Sequence, residues 1–174
     1  MLSMQSRYAL RALLHLAKAG TGKPLSTAAI ADAACVPRKF LEAILVSLKR
    51  NNVVTSKLGK GGGYVLARPA DQISFAEVIR VTDGPISLLP CVSKHFYRRC
   101  DDCVDESLCE LRRVMIDARD QILAVLEHRS LADAISGIPM SPDVAAQICP
   151  SLAPSPQAPP DPVGRSSPAL APPE

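Results

Sequence analysis

Four of the six cysteines fall within nineteen residues, as Cys91, Cys100, Cys103 and Cys109, in the spacing C-x8-C-x2-C-x5-C. Thiolates concentrated in this way can hold a structural zinc ion or an iron–sulfur cluster, or can act as redox thiols. Structural zinc sites usually pair two C-x2-C knuckles, and only Cys100 and Cys103 form one. Arg98, Arg99, Arg112 and Arg113 flank the segment, and their charge favours the net negative charge of a thiolate-bound cluster. The cluster is the leading reading on this chemistry, with zinc and redox thiols as alternatives. His95 lies in the same segment as a further candidate ligand. Cys35 and Cys149 are remote in sequence, and Cys35 is expected as a small core residue.

The charge is divided along the chain. Residues 1–68 hold eleven Lys/Arg against two acids, a net +9, whereas residues 69–137 hold eight against twelve, a net −4. A concentrated positive half suits a phosphate-binding surface, because neutralised phosphates release condensed counterions. From Pro139 onward, eleven of 36 residues are Pro and only four are charged. That composition predicts a disordered tail over 138–174. Aromatics make up 3% of the chain and Trp is absent, so aliphatic side chains must fill the core. No apolar run reaches the roughly 18 residues of a membrane span, and no signal peptide opens the chain, which reads as cytoplasmic. No HExxH motif, local Ser/His/Asp set or paired carboxylates indicate an enzyme, and no small-molecule substrate is expected.

These residues must be positioned by a largely helical scaffold. A first helix is predicted from Ser3 to Lys18, with Tyr8, Ala9, Leu13, Leu16 and Ala17 on one stripe. Ser26 caps a short helix to Ala34, and Pro37 fits the first turn of a third helix running to Arg50. Phe40, Leu41, Ile44, Leu45 and Leu48 are its expected core stripe. Two helices joined by so short a turn, the second carrying Arg38, Lys39, Lys49 and Arg50, match helix-turn-helix geometry. A hairpin follows, from Val53–Lys57 through Leu58-Gly59-Lys60-Gly61-Gly62-Gly63 to Tyr64–Ala67. A P-loop would need GxxxxGK[ST] and a following helix, so the glycine loop reads instead as a wing. Ser74 and Glu77 have capping-box spacing for a helix to Thr82. A long helix follows from about Glu106 to Glu127, with Leu111, Val114, Met115, Ala118, Ile122, Val125 and Leu126 at helical period. The small head offers too little surface to cover it, so a second copy of the chain is expected to do so.

Arg7–Leu13, Phe40-Leu41-Glu42, Gly61–Tyr64, Ile73–Asp83 and the cysteine segment together resemble the Rrf-two family of bacterial winged-helix transcription regulators, over Arg7 to Ile135. The resemblance implies a mainly α fold with a β-hairpin wing, a long dimerisation helix, and a homodimer on pseudo-palindromic double-stranded DNA. It also implies, in many members, an iron–sulfur cluster (2Fe–2S or 4Fe–4S) held by three cysteines. Cys91, Cys103 and Cys109 match that triple most closely, with Cys91, Cys100 and Cys109 as an alternative. Some members add a histidine after the last cysteine, where this chain has Arg112 and Arg113. Others borrow a carboxylate near the start of the partner's first helix, where this chain has Arg7. Guanidinium stays protonated and cannot ligate iron, which makes Cys100 the candidate fourth ligand.

The expected organisation is a winged helix-turn-helix over 1–84, a cluster-binding loop over 85–105, the dimerisation helix with a short terminal helix over 106–137, and the tail. Arg38, Lys39, Glu42, Lys57, Lys60, Gly61 and Gly62 are the candidate DNA contacts. The expected function is a DNA-binding regulator, with repression favoured, whose affinity is switched by a cluster sensing redox state, nitric oxide or iron.

Overall fold

The computed structural model describes residues 2–20, 22–59 and 61–137. The expectations for the tail, Cys149 and Lys60 fall outside these residues.

Helix α1, Met4–Lys18, begins where the Ser3 hydroxyl accepts from the Ser6 amide at 3.1 Å. α2, Thr27–Ala34, begins in the same way at Ser26, which accepts from the Ala29 amide. These side chains satisfy amides that a first helical turn leaves without partners. Cys35 closes α2 in the left-handed region (φ 50°, ψ 54°) and turns the chain into α3, Arg38–Arg50. Pro37 stands just before this helix rather than inside its first turn.

Strands β1, Val54–Lys57, and β2, Gly63–Leu66, form the antiparallel wing, with Val54 opposite Leu66 and Lys57 opposite Gly63. Leu25 and Tyr64 exchange backbone hydrogen bonds of 3.0 and 2.8 Å, which fastens the wing to the α1–α2 connection. Only glycine fits beside that junction, because a Cβ on Gly63 would lie 2.2 Å from the Leu25 carbonyl oxygen.

The chain continues through α4, Phe75–Thr82, a cysteine-bearing loop, α5, Glu110–Glu127, and α6, Leu131–Ser136. Leu13, Ile30, Leu41, Leu45, Ile73 and Leu131 are fully buried in one core shared by α1, α2, α3, the α4 approach and α6. α6 therefore closes the winged head, although the sequence grouped it with the long helix. The tie is a backbone bridge at Ser74 and Ser130, where Phe75 N donates to Arg129 O and Leu131 N to Ile73 O, both at 2.9 Å. No helix among the described residues is long and apolar enough to cross a membrane.

Four local expectations are corrected. Phe40 is 62% exposed, because Leu41, Ile44, Leu45 and Leu48 already fill the buried face of α3. Its ring packs edge-on against Tyr8 with centroids 6.4 Å apart. Cys35 is exposed rather than in the core. Ser74 accepts from the Glu77 amide at 3.2 Å, but the Glu77 carboxylate pairs with Arg68 instead of returning to Ser74. The complete capping box is made by Ser130 and Asp133. Finally, α5 starts at Glu110 rather than Glu106: Asp105 folds Ser107 into a local turn, and Cys109 Sγ caps the helix.

Leu45→Ala is expected to lower unfolding free energy by about 2–5 kcal/mol, the cost of a core cavity. Phe40→Ala, despite the larger side chain, is expected to cost about 1 kcal/mol, the scale of an edge-on aromatic contact. Urea denaturation of the two variants checks the order.

Candidate DNA-binding face and cysteine site

The helix-turn-helix leaves one side of α3 exposed beside the wing. Arg38 and Glu42 are one turn apart on it and pair at 3.1 Å, with side chains 66% and 55% exposed. An exposed i,i+4 pair contributes little stability, so these groups are available for exchange with another partner. Lys39 is exposed next to them. Lys49 Nζ donates to Ser56 Oγ at 2.6 Å, and Lys57 Nζ donates to the Gly22 carbonyl at 3.2 Å. Both lysines thus tie the wing to neighbouring elements. Gly61 adopts φ +88°, while a Cβ on Gly62 would lie 2.4 Å from the Lys57 carbonyl oxygen, so these positions shape the turn. Leu58 is 99% exposed near the wing tip. Sequence reasoning passed over it, because a lone leucine in a glycine loop produces no periodic signal.

The cysteine site is built around a 3-10 turn, Pro90–Val92, in which Cys91 is buried. Cys100 is half-buried nearby. A hydrogen bond to Cys91, with burial, raises the Cys100 pKa above its ordinary value. Cys103 N donates to the Cys100 carbonyl at 3.2 Å, making the knuckle a tight turn. The Arg99 guanidinium braces that turn by donating to the Cys103 and Val104 carbonyls at 2.9 Å. Cys109 occupies the N-cap of α5, where its sulfur accepts from the Arg112 amide at 3.4 Å. Arg112 Nε is buried without a hydrogen-bond acceptor, 3.7 Å from Glu106 Oε2.

The structure thus joins Cys100 to Cys103 through the backbone, and Cys91 is near enough to raise the Cys100 pKa. Among the described residues, no three His, Cys, Asp or Glu side chains gather closely enough to hold a metal ion. His95 is exposed.

Arg119, in the middle of α5, clamps this site. Its Nη1 donates to the Val92 carbonyl, while Nε and Nη2 grip the Asp120 carboxylate at 3.0 and 2.9 Å. Lys94 reaches the same carboxylate at 3.0 Å from the loop side. Hydrogen bonds from Arg119, then from Lys94, hold the Asp120 pKa below the usual carboxylate range. Sequence periodicity had no means of finding this group, because adjacent helical residues do not ordinarily face one partner.

The family model of Rrf2, described as an iron-dependent transcriptional regulator, matches residues 2–137. An rrf2-like HTH-type transcriptional regulator of Rhodobacter capsulatus is 37% identical over 139 residues, covering 78% of this chain and 93% of that protein. Among solved structures, CymR (YrzC), the global cysteine regulator of B. subtilis, is similar at a TM-score of 0.66 and 29% identity. It aligns over 80% of this chain and 98% of its own. IscR of T. potens is similar at a TM-score of 0.60 and 25% identity, over 80% and 88%. The mainly helical fold with its hairpin wing is the fold of these regulators.

Arg119→Ala is expected to free the Pro90–Val92 turn. A charge-assisted hydrogen bond contributes about 1.5–3 kcal/mol, so alkylation of buried Cys91 in reduced apo protein should accelerate about ten- to a hundredfold. Peptide mass spectrometry after timed iodoacetamide exposure measures this, with exposed Cys35 as the internal reference.

Proposed function

This chain belongs to the Rrf2 family of transcriptional regulators, and from that premise we propose that it is a homodimer whose DNA affinity is switched at the cysteine loop. The protein is a DNA-binding regulator, not an enzyme. In our reading α3 enters the major groove with Arg38, Lys39 and Glu42, while Lys57, Lys60, Gly61 and Gly62 of the wing meet the backbone or minor groove. Repression by occupancy of a pseudo-palindromic operator is the simplest outcome.

One observation carries the switch: the loop bearing all four thiols is clamped onto α5 by Arg119. Cys91, Cys100, Cys103 and Cys109 would hold an iron–sulfur cluster. The donor set fits in kind, since it is all soft thiolate and Cys109 sits at a helix N-terminus, and binding would draw the four side chains together. Arg112 Nε, buried without a hydrogen-bond acceptor beside Glu106, is a donor suited to an anionic centre. A bound cluster would supply an oxidant- or nitric oxide-reactive group on the loop. The chain's own part is to keep Cys91 shielded and to transmit loop order to α5 through Arg119 and Asp120. A ligand biases such an equilibrium only by its differential affinity for the two states, typically about 1–3 kcal/mol.

The dimer reading rests on α5. Leu123 is its one buried residue, whereas Leu111, Val114 and Ile122 are exposed along the opposite stripe. A second copy laid against that stripe would bury it and set the spacing of the two α3 helices. A second reading takes Cys91 and Cys100 as direct redox thiols, which the raised Cys100 pKa opposes, since the thiolate is the reactive form.

Anaerobic purification with visible spectroscopy and iron and sulfide analysis distinguishes the two readings. Cys100→Ser is expected to lose or destabilise the cluster, while Cys35→Ser keeps it. A wild-type spectrum in Cys100→Ser would remove it from the ligand set. Val114→Asp combined with Ile122→Asp is expected to give monomers by sedimentation and at least tenfold weaker operator binding, the scale of about 1.4 kcal/mol.

A further inference from the structure

Lys39, Ala43, Val46 and Arg50 follow the i, i+4, i+7, i+11 spacing of a single helix face, and all four are exposed on α3. Val46 is 45% exposed, and Phe40 lies exposed on the flank of this face. The core is filled from the opposite side by Leu41, Ile44, Leu45 and Leu48, so Ala43 and Val46 are not needed for packing. A solvated helix face ordinarily carries polar residues. This one is cationic at its two ends and apolar between them. Glu42, the one acid of α3, is paired with Arg38.

Lys39, Lys49 and Arg50 make the frame complementary to phosphate, but the side chains of the strip they enclose offer no hydrogen-bond donor or acceptor. Among the groups a base pair displays in the major groove, the thymine C5-methyl is the one suited to such a strip. Ala43 and Val46 also lie in the sixth and ninth positions of the helix, within the part that reaches base edges. We infer that α3 reads thymine methyl groups through Ala43 and Val46, with Phe40 alongside, while the cations at its ends hold phosphates. The inference rests on α3 being the recognition helix and adds which base feature it selects.

The full-length protein is used to enrich duplexes from a randomised pool, and the enriched duplex is resynthesised with deoxyuridine replacing each thymidine in turn. This removes the methyl group and leaves the pairing edge intact. A cluster of positions in each half-site should lose about fourfold in affinity per methyl, the effect of exposing one methylene-sized apolar group. Ala43→Ser and Val46→Ser, both at exposed positions, should retain the wild-type melting temperature and bind the thymine and uracil duplexes equally at those positions. An enriched duplex indifferent to uracil everywhere, as expected if the strip serves a protein partner, overturns the inference alone. Discrimination that survives both serine variants does the same. Failure to enrich any duplex overturns the assignment of α3 as recognition helix together with the inference.

Discussion

The position of the cysteine loop depends on the partners of one guanidinium. Arg119 is mostly withdrawn from solvent, with its side chain 11% exposed, and a charge in that setting must be matched by acceptors held in place. It obtains two from its own neighbour on α5 and one from the Val92 carbonyl. Lys94 then closes on Asp120 from the loop. The buried Cys91 lies next to that carbonyl in sequence and cannot move far without leaving the Arg119 charge short of an acceptor.

The two ends of α5 are anchored differently. Its N-terminus is capped by a thiol that belongs to the cysteine group, so the same sulfur serves the helix and the loop. At its C-terminal end Arg80 pairs with Glu127, and the chain then returns to the head. α5 is therefore a strut tied at one end to the cysteine group and at the other to the head. Its exposed residues Leu111, Val114 and Ile122 lie on a face other than the one on which Leu123 packs.

The sequence revealed most where one signal dominates. Serine caps marked the starts of α2 and α4, and the glycine run marked the wing. The buried faces of α1 and α3 followed from apolar spacing, with Phe40 misread because an aromatic at the edge of a stripe has the same period as one inside it. The start of α5 was misplaced because Glu106 to Leu108 fit a helix by propensity, whereas the Asp105–Ser107 turn and the Cys109 cap compete locally and win. The terminal capping box escaped notice because its acid is Asp133, one carbon shorter than the usual Glu. At the cysteine site, the donor set was legible from spacing alone. The arrangement was not, because it depends on Arg119, nineteen residues from the central thiol and unrelated to it by any period.

The closure of the core by α6 has a consequence for how the protein is made. Leu131 packs into a core that already contains α1 and Ile73, so the head is complete only when nearly all the described chain has left the ribosome. Domains generally fold as units during synthesis, from the N-terminal end, but here the first helix must wait for the last. A chain released early, ending in the cysteine loop or within α5, would leave the Leu131 site of the core open to water. Such a fragment would carry α3 without a closed core beneath it. Its own instability would expose it to proteolysis, so the topology couples a stable head to synthesis of the whole span through α6.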